Sequence, residues 1–317
     1  MEVKPEVSVV VPVKDEQETV EELVHKARRV LEEREKSFEI ILVDDGSADK
    51  SFEKMKELAA GDGRVRAVRF LRNFGKSAAL TAGFERASGR TIITIDADLQ
   101  DDPEEIPVLL DELDKGYHLV SGWKKERQDP LGKRFSSRLA NLVTSVLSGV
   151  RVHDMNCGFK AYRHEVIRNL RIYGDLHRFI PALAGAQGFT VSEVVVRHHP
   201  RRFGKSKYGL ARMPRGFFDL LTVLFITQYA RRPLHLFGGI GVTLGFLGFA
   251  ALLYLTCIWF IPGHDPIGTR PLFMGGIMLM ILGAQLLSLG LVGELITHNS
   301  FRASDQYAVL EETDHNG

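Results

Sequence analysis

The sequence has little cysteine, no excess of either charge and no recognisable N-terminal leader. Its 317 residues include two cysteines, Cys157 and Cys257, which argues against a disulfide framework or a cysteine zinc site and favours a reducing compartment. The 41 basic and 40 acidic side chains nearly cancel, so net charge does not suggest a nucleic-acid partner. No cleavage site follows the apolar run Val7–Val13, which we interpret as a strand.

Two long runs without a charged side chain lie near the C-terminus. Leu234–Ile261 and Leu272–Gly293 contain no Asp, Glu, Lys or Arg, and a helix needs roughly 20 apolar residues to cross a bilayer. The connector Pro262–Pro271 predicts a tight turn, so we expect a transmembrane hairpin. A buried helix pair in a soluble fold is the alternative, although charge-free runs of this length are rare there.

Basic residues predict the orientation of this hairpin. Eight Lys or Arg and the single acid Asp219 lie between Arg201 and Arg232, whereas the hairpin turn carries only Arg270. The excess of positive charge places the N-terminal domain in the cytoplasm. The apolar segment Phe217–Tyr229 predicts an interfacial helix before the first span, with a core helix of the soluble domain as the alternative.

The first 210 residues alternate β-rich runs with amphipathic stretches, which predicts a βαβ fold with a mostly parallel sheet. The predicted strands are Val7–Val13, Phe38–Val43, Arg64–Phe70, Thr91–Ile95 and His118–Gly122. The predicted helices are Thr19–Lys36, Phe52–Ala60 and Lys76–Ala87. Ligands of such sheets bind at the carboxyl ends of the strands, so the residues after each run are candidates for chemistry.

Acidic residues follow two of these strands. DDGSADKS (Asp44–Ser51) either offers a carboxylate and backbone N–H groups to a base or ribose, or forms an ordinary Asx-capped loop. In DADLQDD (Asp96–Asp102), Asp96, Asp98 and Gln100 alternate and can present oxygen atoms from one side of an extended chain. This set suits Mg²⁺ or Mn²⁺ completed by a substrate diphosphate. An acidic turn before the next helix is the alternative.

The motifs together resemble those of family 2 glycosyltransferases with a GT-A fold. The first four, in chain order, are VVVPVKDEQ, DDGS, RNFGKSAAL and DADLQDDPE. DMNCGFKAYR at Asp154–Arg163, RRFGKSKYG at Arg201–Gly209 and the two spans narrow the resemblance to the polyprenyl-phosphate glycosyltransferases. These include dolichol-phosphate mannose synthases and bactoprenol glucosyltransferases. The resemblance implies an α/β fold, with a GT-A (Rossmann-like) catalytic domain followed by an interfacial helix and a two-helix transmembrane hairpin.

The resemblance also implies a domain order and an activity. Residues 1–210 would form a cytoplasmic catalytic domain, 211–232 an interfacial helix, 233–297 two spans of a bacterial inner membrane, and 298–317 a cytoplasmic tail. The implied activity is metal-dependent, inverting transfer of a sugar from a nucleotide sugar, with UDP-glucose as first choice, to a polyprenyl phosphate such as undecaprenyl phosphate. A GDP-mannose-dependent transferase and a non-catalytic, membrane-anchored nucleotide-binding subunit remain alternatives. A processive polysaccharide synthase is disfavoured because no QxxRW segment is present.

Residue roles follow from the matched motifs. The implied metal ligands are Asp96, Asp98 and Gln100, with Asp98 also counted as catalytic. The implied donor-binding residues are Asp45, Asp96, Lys76, Arg201, Ser206 and Lys207. For Lys76 a purely structural explanation remains, because a Gly–Lys pair also suits a helix start.

Basic residues in and before Leu131–Leu147 lie beside apolar positions, which favours a flap that faces the acceptor. The candidate acceptor-binding residues are Lys124, Arg127, Arg134 and Arg138. A solvated charged helix is the alternative. No histidine is assigned a catalytic role, because the adjacent His198 and His199 would point to opposite faces of a strand.

Asp154 is the second candidate catalytic residue. Direct displacement at an anomeric carbon usually calls for a base near the acceptor, and the resemblance places Asp154 there. The second pKa of a phosphate monoester is about 6, so a phosphate acceptor has little need to lose a proton. Asp154 is therefore a base, an orienting group or a structural turn acid.

Glycines in the two spans suggest a self-association surface. Gly241 and Gly245 form a GxxxG pair in the first span, and Gly276, Gly283 and Gly290 recur in the second. Small residues let helix backbones approach closely. We predict a homo-oligomer, although the same glycines can serve the intramolecular hairpin alone.

Overall fold

The computed structural model describes residues 4–125, 150, 152–200, 221–223, 225–229, 232–261 and 266–300. The described residues up to Val223 belong to one compact unit and those from Phe225 onward to a second. The division falls inside the segment predicted as an interfacial helix, of which Leu221–Val223 is helical and Phe225–Tyr229 forms a π-helical turn. The domain bounds proposed from the sequence remain predictions.

A seven-stranded mixed sheet forms the centre of the first unit. Its strands are β1 (Val7–Val13), β2 (Phe38–Asp44), β3 (Val65–Arg69), β4 (Thr91–Thr94), β5 (Leu119–Trp123), β6 (Lys160–Arg163) and β7 (Val191–Val195). The spatial order is β3-β2-β1-β4-β6-β5-β7. Strand β6 runs antiparallel to both of its neighbours, whereas the other pairs are parallel. The carboxyl ends of β1, β2 and β4 therefore meet at one edge, where the acidic motifs lie.

Helices cover the sheet. They are α1 (Val20–Glu33), α2 (Ser51–Gly61), α3 (Lys76–Phe84), α4 (Ile106–Leu113), α5 (His164–Asn169) and α6 (Ile180–Ala186), with short 3₁₀ turns at Pro103–Glu105 and Leu176–Phe179. In α1, Leu23, Ala27 and Val30 recur at helical spacing and are buried, which gives the helix one apolar face against the sheet. Helix α3 packs closely on β1, because a Cβ at Gly83 would lie 2.2 Å from Val10 Cγ1.

The hydrophobic patterns predict most of this sheet. Strand β1 has the predicted bounds, and β2 to β5 differ from prediction by one residue at one or both ends. Strand β7 was not predicted. It lies at the edge of the sheet, and most of its side chains are only partly buried, so its sequence lacks the continuous apolar run of a central strand.

The second unit contains two long antiparallel helices, α7 (Pro233–Trp259) and α8 (Pro271–Ser300). Both are long and apolar enough to cross a membrane, with mean hydropathies of 2.1 and 2.0. Only 17% and 11% of the residues in their most apolar stretches are buried. Large apolar side chains such as Phe246 and Leu291 are exposed. In a bilayer these side chains would contact lipid and not water, so their exposure would carry no hydrophobic free-energy cost.

Glycines bring α7 and α8 together within one chain. A Cβ at Gly241 would lie 2.7 Å from the carbonyl oxygen of Gly283, and one at Gly248 would lie 2.6 Å from that of Gly276. A Cβ at Gly245 would have no described atom within 4 Å outside the neighbouring backbone of α7. The hairpin alone therefore explains the close approach at Gly241, and the homo-oligomer remains a prediction.

Substitution at these glycines separates the two roles. We expect Gly241→Leu to lower the thermal unfolding temperature of the purified protein in detergent, because overpacking a tight contact costs about 1–3 kcal/mol. We expect Gly245→Leu to leave that temperature unchanged and, if the predicted oligomer uses this face, to lower the mass measured by light scattering. Equal thermal stability of Gly241→Leu and the parent would show that the helices are not packed through Gly241.

Candidate active site

The loops that follow β1 and β2 are joined by hydrogen bonds. The backbone N–H of Asp15 donates to Ser47 Oγ at 2.9 Å, and the backbone N–H of Ala48 donates to Asp15 Oδ1 at 2.9 Å. Asp15 has a positive φ of 50°, and the ammonium of Lys14 donates to the carbonyl oxygen of Gly46. These bonds fix the DDGS turn at the carboxyl edge of the sheet.

Asp45 connects this turn to the RNFGKS loop after β3. Its carboxylate accepts hydrogen bonds from the backbone N–H groups of Phe74 at 2.7 Å and Gly75 at 3.0 Å. Gly46 has φ +68°, and a Cβ there would lie 2.6 Å from the carbonyl carbon of Arg72, so this close crossing requires glycine. The predicted donor-binding residue Asp45 thus has a positioning role, since it orders the loop that leads into α3.

Asp96 follows β4 and forms an ion pair with Lys76 at the start of α3. The Lys76 Nζ to Asp96 Oδ1 distance is 2.5 Å. Burial opposes ionisation of Asp96, but the charge of Lys76 outweighs it and lowers the pKa of this carboxyl. Gly158 leaves space for the carboxylate, since a Cβ there would lie 2.5 Å from Asp96 Oδ2. Two predicted donor-binding residues are therefore in direct contact.

Asp98 and Gln100 continue the same loop. Asp98 Oδ1 accepts a 3.2 Å hydrogen bond from the backbone N–H of Gln100, and Leu99 between them has φ +54°. Within the described part of the chain, no group of three or more His, Cys, Asp or Glu has the arrangement of a metal site. The donor set still fits a hard cation, because two carboxylates and an amide oxygen share one loop and Asp96 already attracts the cation of Lys76.

A buried ion pair joins this acidic loop to the residues that follow β5 at the same edge of the sheet. Lys124 Nζ, after β5, lies 2.7 Å from Asp101 Oδ1, and His198 Nδ1 lies 3.5 Å from the same oxygen. Burial would raise the pKa of Asp101, but Lys124 and His198 bring it down to about 2. Burial opposes the charge of Lys124, yet Asp101 raises its pKa overall. The backbone N–H of His199 adds a 2.7 Å bond to the carbonyl oxygen of Gln100.

Asp154 lies in the turn before β6. Its side chain is buried, and Oδ1 accepts a 3.2 Å hydrogen bond from the backbone N–H of Asn156. Its carbonyl oxygen accepts a 3.4 Å bond from Ser121 Oγ of β5. The negative charges of Asp154 and Asp96 both favour the charged form of Lys160. The two carboxylates therefore lie near the same lysine.

A family model described as glycosyl transferase family 2 matches residues 8–171, which include the β1, DDGS, DADLQ and Asp154 segments described above. The chain belongs to glycosyl transferase family 2. The predicted family resemblance and the GT-A fold are therefore confirmed, and the protein is a glycosyltransferase.

Relatives are similar over nearly the whole chain. A dodecaprenyl-phosphate galacturonate synthase from Rhizobium johnstonii is 40% identical over 96% of this chain and 92% of its own length. An undecaprenyl-phosphate 4-deoxy-4-formamido-L-arabinose transferase from Edwardsiella ictaluri is 39% identical over 96% and 93%. Both names contain a prenyl phosphate, which agrees with the predicted polyprenyl-phosphate branch of the family. Neither carries glucose.

Solved structures share the fold at lower identity. Glucosyl-3-phosphoglycerate synthase from Mycobacterium tuberculosis in complex with Mg²⁺ and UDP matches with a TM-score of 0.55 at 20% identity, covering 70% of this chain and 79% of that one. Its complex with Mn²⁺, UDP and glucosyl-3-phosphoglycerate matches with a TM-score of 0.54. The likeness supports the GT-A architecture of this family 2 glycosyltransferase.

The structure places the predicted site residues of the glycosyltransferase in two groups. Asp45, Lys76, Asp96, Asp98 and Gln100 occupy the loops at one edge of the sheet. Lys124 is only 11% exposed and contacts Asp101, so in this structure it supports the acidic loop. Apart from Asp154, which lies in the turn before β6, the remaining predicted residues lie outside the described part of the chain: Arg127, Arg134, Arg138, Arg201, Ser206 and Lys207.

Two titratable residues near the acidic loop of this family 2 glycosyltransferase, Lys160 and His177, were not predicted from the sequence. Lys160, the first residue of β6, is 2% exposed, and burial lowers its pKa to about 8. His177, in the Leu176–Phe179 turn, has its pKa lowered to about 3 by burial and by the charge of Lys76. For Lys160 the available signal was the sequence CGFKAY, where a lysine interrupts apolar residues, whereas His177 had no such signal.

Proposed function

We propose that this glycosyltransferase moves a sugar from a nucleotide sugar to a polyprenyl phosphate held in a membrane. The observation that carries the proposal is the combination, in one chain, of the Asp96 and Asp98 carboxylates after β4 with two exposed apolar helices. A long isoprenoid acceptor stays in the bilayer, so only its phosphate needs to reach the catalytic domain. The prenyl-phosphate names of relatives near 40% identity support the same acceptor class.

In the proposed reaction an oxygen of the acceptor phosphate forms a bond to the anomeric carbon of the sugar. The bond from that carbon to the diphosphate oxygen breaks, and its electron pair leaves with the nucleoside diphosphate. The products are the polyprenyl-phosphate sugar and the free nucleoside diphosphate. Direct attack from the opposite face inverts the anomeric configuration. Because the acceptor is largely dianionic above its second pKa of about 6, no proton has to be removed.

The proposed cofactor is Mg²⁺ or Mn²⁺, held by Asp96, Asp98 and Gln100. When bound, it supplies positive charge that stabilises the departing diphosphate. The protein contributes Lys76, which lies at Asp96 in the structure and provides a fixed cation at the same edge. Asp45 orders the loop that presents Lys76, through the backbone of Phe74 and Gly75. Asp154 belongs on the acceptor side.

The membrane arrangement is part of the proposal. Residues 1–210 form the cytoplasmic catalytic domain, 211–232 an interfacial segment, 233–297 two inner-membrane spans, and 298–317 a cytoplasmic tail. The proposed ligands of the donor and acceptor phosphates outside the described residues are Arg127, Arg134, Arg138, Arg201, Ser206 and Lys207. Basic residues next to a membrane surface are attracted to anionic lipid and to phosphate groups.

The identity of the sugar is a separate part of the proposal. UDP-glucose was the first choice from the sequence, but the relatives are named for galacturonate and 4-deoxy-4-formamido-L-arabinose. We therefore propose a UDP-activated sugar other than glucose. Galacturonate is the first candidate, because it stands in the name of a relative that is 40% identical.

A donor panel tests the proposed activity. Purified protein in nanodiscs that contain undecaprenyl phosphate would be incubated with labelled UDP-galacturonate, UDP-glucuronate, UDP-glucose, UDP-N-acetylglucosamine and GDP-mannose. We expect label to enter the lipid fraction from one or a few UDP-sugars, to stop in EDTA and to return with Mg²⁺ or Mn²⁺. Use of GDP-mannose alone would favour the mannosyltransferase alternative. Absence of transfer from every donor would favour a non-catalytic subunit.

A further inference from the structure

The end of the acidic loop pairs with the chain that follows β7. Asp101 and His198 form an isolated antiparallel β-bridge. Next to it, the backbone N–H of His199 donates to the carbonyl oxygen of Gln100 at 2.7 Å, and Gln100 Nε2 donates to the carbonyl oxygen of His199 at 3.5 Å. The loop after β4 is therefore joined to a second segment at one of the residues assigned to the divalent ion.

This pairing orients the side-chain amide of Gln100. A backbone carbonyl oxygen only accepts hydrogen bonds, so the amide atom that faces the carbonyl of His199 is the nitrogen. The amide oxygen then points away from His199, and oxygen is the atom that Mg²⁺ or Mn²⁺ takes from an amide side chain. The contact with His199 thus selects the orientation of Gln100 that suits a metal ligand.

The two histidines contact the two carboxylates that follow Gln100. His198 Nδ1 lies 3.5 Å from Asp101 Oδ1. His199 Nε2 lies 3.3 Å from Asp102 Oδ2. Adjacent side chains on an extended segment point to opposite faces, which argues against a shared metal but lets each histidine contact a different acid. Both side chains therefore support the paired segment and not the ion itself.

Lys124 fixes the same loop through a buried charge. Asp101 is fully buried, and its Oδ1 lies 2.7 Å from Lys124 Nζ, so a shift of the loop would leave a carboxylate buried without its partner. Leu99 has a φ of +54°, which residues with a side chain rarely adopt. Such a conformation persists only where the surrounding structure holds it. The shape of the loop therefore depends on contacts outside the loop.

We propose that Lys124 is a positioning residue that acts through Asp101 to hold Gln100 in the geometry that the divalent ion needs. The His198–His199 segment supports the same loop. This role replaces the predicted contact of Lys124 with the acceptor phosphate, because its ammonium is paired with a buried carboxylate and its side chain is only 11% exposed. The inference rests on the proposed function, which assigns the ion to the loop after β4.

The direction of the change in metal affinity tests this role. Lys124→Met removes a positive charge beside a cation site, so charge alone predicts tighter binding of Mn²⁺. Loss of positioning predicts weaker binding, because residues that support metal ligands typically contribute tenfold to 100-fold in affinity. We expect the Kd for Mn²⁺ to rise about tenfold or more, measured from the EPR signal of free Mn²⁺ with the full-length protein, with and without UDP. Lys124→Arg keeps the charge and should retain most of the affinity.

Steady-state kinetics distinguish positioning from an acceptor contact. The KM values would be measured for the nucleotide sugar that the parent transfers and for undecaprenyl phosphate. We expect Lys124→Met to raise the KM for the donor, whose diphosphate binds through the ion, and to leave the KM for the acceptor unchanged. A direct contact between Lys124 and the acceptor phosphate predicts the reverse.

Controls separate positioning from folding. Lys124→Met leaves the carboxylate of Asp101 buried and unpaired, so its unfolding temperature should fall. The double variant Asp101→Asn/Lys124→Met removes both charges and should recover much of this stability, yet its Mn²⁺ affinity should stay low because the ion pair is still missing. Lys115→Met removes an exposed lysine that pairs with Glu112 at 2.6 Å and should change neither quantity.

Each outcome decides one claim. Mn²⁺ binding in Lys124→Met and in the double variant that is as tight as in the parent, or tighter, would overturn the inference and leave the proposed function intact. A raised KM for undecaprenyl phosphate with unchanged Mn²⁺ affinity would also overturn it and would return Lys124 to the acceptor site. A parent that transfers no sugar from any nucleotide sugar, with Mn²⁺ binding weakened by Lys124→Met, would overturn the proposed transfer and support the positioning role.

Discussion

Asp98→Asn is expected to lower kcat by about 100-fold or more, which corresponds to about 2.7 kcal/mol of barrier. The substitution removes a charged oxygen from the loop assigned to the divalent ion and the donor diphosphate. The fold should survive, because the 3.2 Å bond that Asp98 Oδ1 accepts from the Gln100 backbone can also be accepted by an amide oxygen. Measured Mn²⁺ affinity should fall together with kcat.

The matched control is Asp111→Asn. Asp111 lies on α4, is 58% exposed and pairs with Arg34 at 2.9 Å, so the same change of charge occurs on the protein surface. Surface ion pairs contribute at most about 1 kcal/mol, and we expect parental activity. Normal turnover and normal Mn²⁺ affinity in Asp98→Asn would remove Asp98 from the metal site.

Asp154→Asn is expected to lower kcat more than about tenfold, or about 1.4 kcal/mol. Asp154 is buried, and its Oδ1 accepts a bond from the Asn156 backbone at 3.2 Å, which the amide of Asn can replace. A loss of rate with an unchanged unfolding temperature would then report the missing charge. Nearby Lys160 is sensitive to this charge, so Asp154 can orient a cation as well as the acceptor.

The pH dependence separates the roles of Asp154. If Asp154 orients, raising the pH should restore little of the rate in Asp154→Asn, because the acceptor phosphate is already ionised above a pKa of about 6. Recovery to the parental rate at high pH would support a base. A kcat equal to that of the parent at neutral pH would place Asp154 outside the mechanism and leave it a structural turn acid.

The sequence predicts the fold through its strand pattern. Strands β1 and β2 are buried along nearly their whole length, so most of their residues are apolar and both are visible without a structure, with Ser8 in β1 and Glu39 in β2 as buried polar exceptions. Strand β7 is harder to predict, because it is a partly exposed edge strand. The spans α7 and α8 are predicted by their lack of charge, but the helix bounds differ from the charge-free runs. Helix α7 begins one residue before its run and ends at Trp259, two residues before the run ends. Helix α8 extends beyond both ends of its run, from Pro271 to Ser300.

The candidate site is predicted less completely. Asp96, Asp98 and Gln100 lie within five residues and can be recognised as one motif. The contact of Lys124 with Asp101 joins β5 to the loop after β4, and such a long-range ion pair leaves no local signal. Lys160 lies in a short strand, and its nearly complete burial is revealed only by the packed sheet.

The most direct test of the central claim is the identity of the lipid product. Purified protein in nanodiscs would receive undecaprenyl phosphate, UDP-galacturonate labelled in the sugar, and Mn²⁺, and the organic extract would be analysed by mass spectrometry with UDP quantified in parallel. We predict an undecaprenyl-phosphate sugar formed in equal amount to released UDP, with none when the acceptor is omitted. Release of UDP with free sugar as the only product, or no lipid-linked sugar from any nucleotide sugar supplied, would contradict the account.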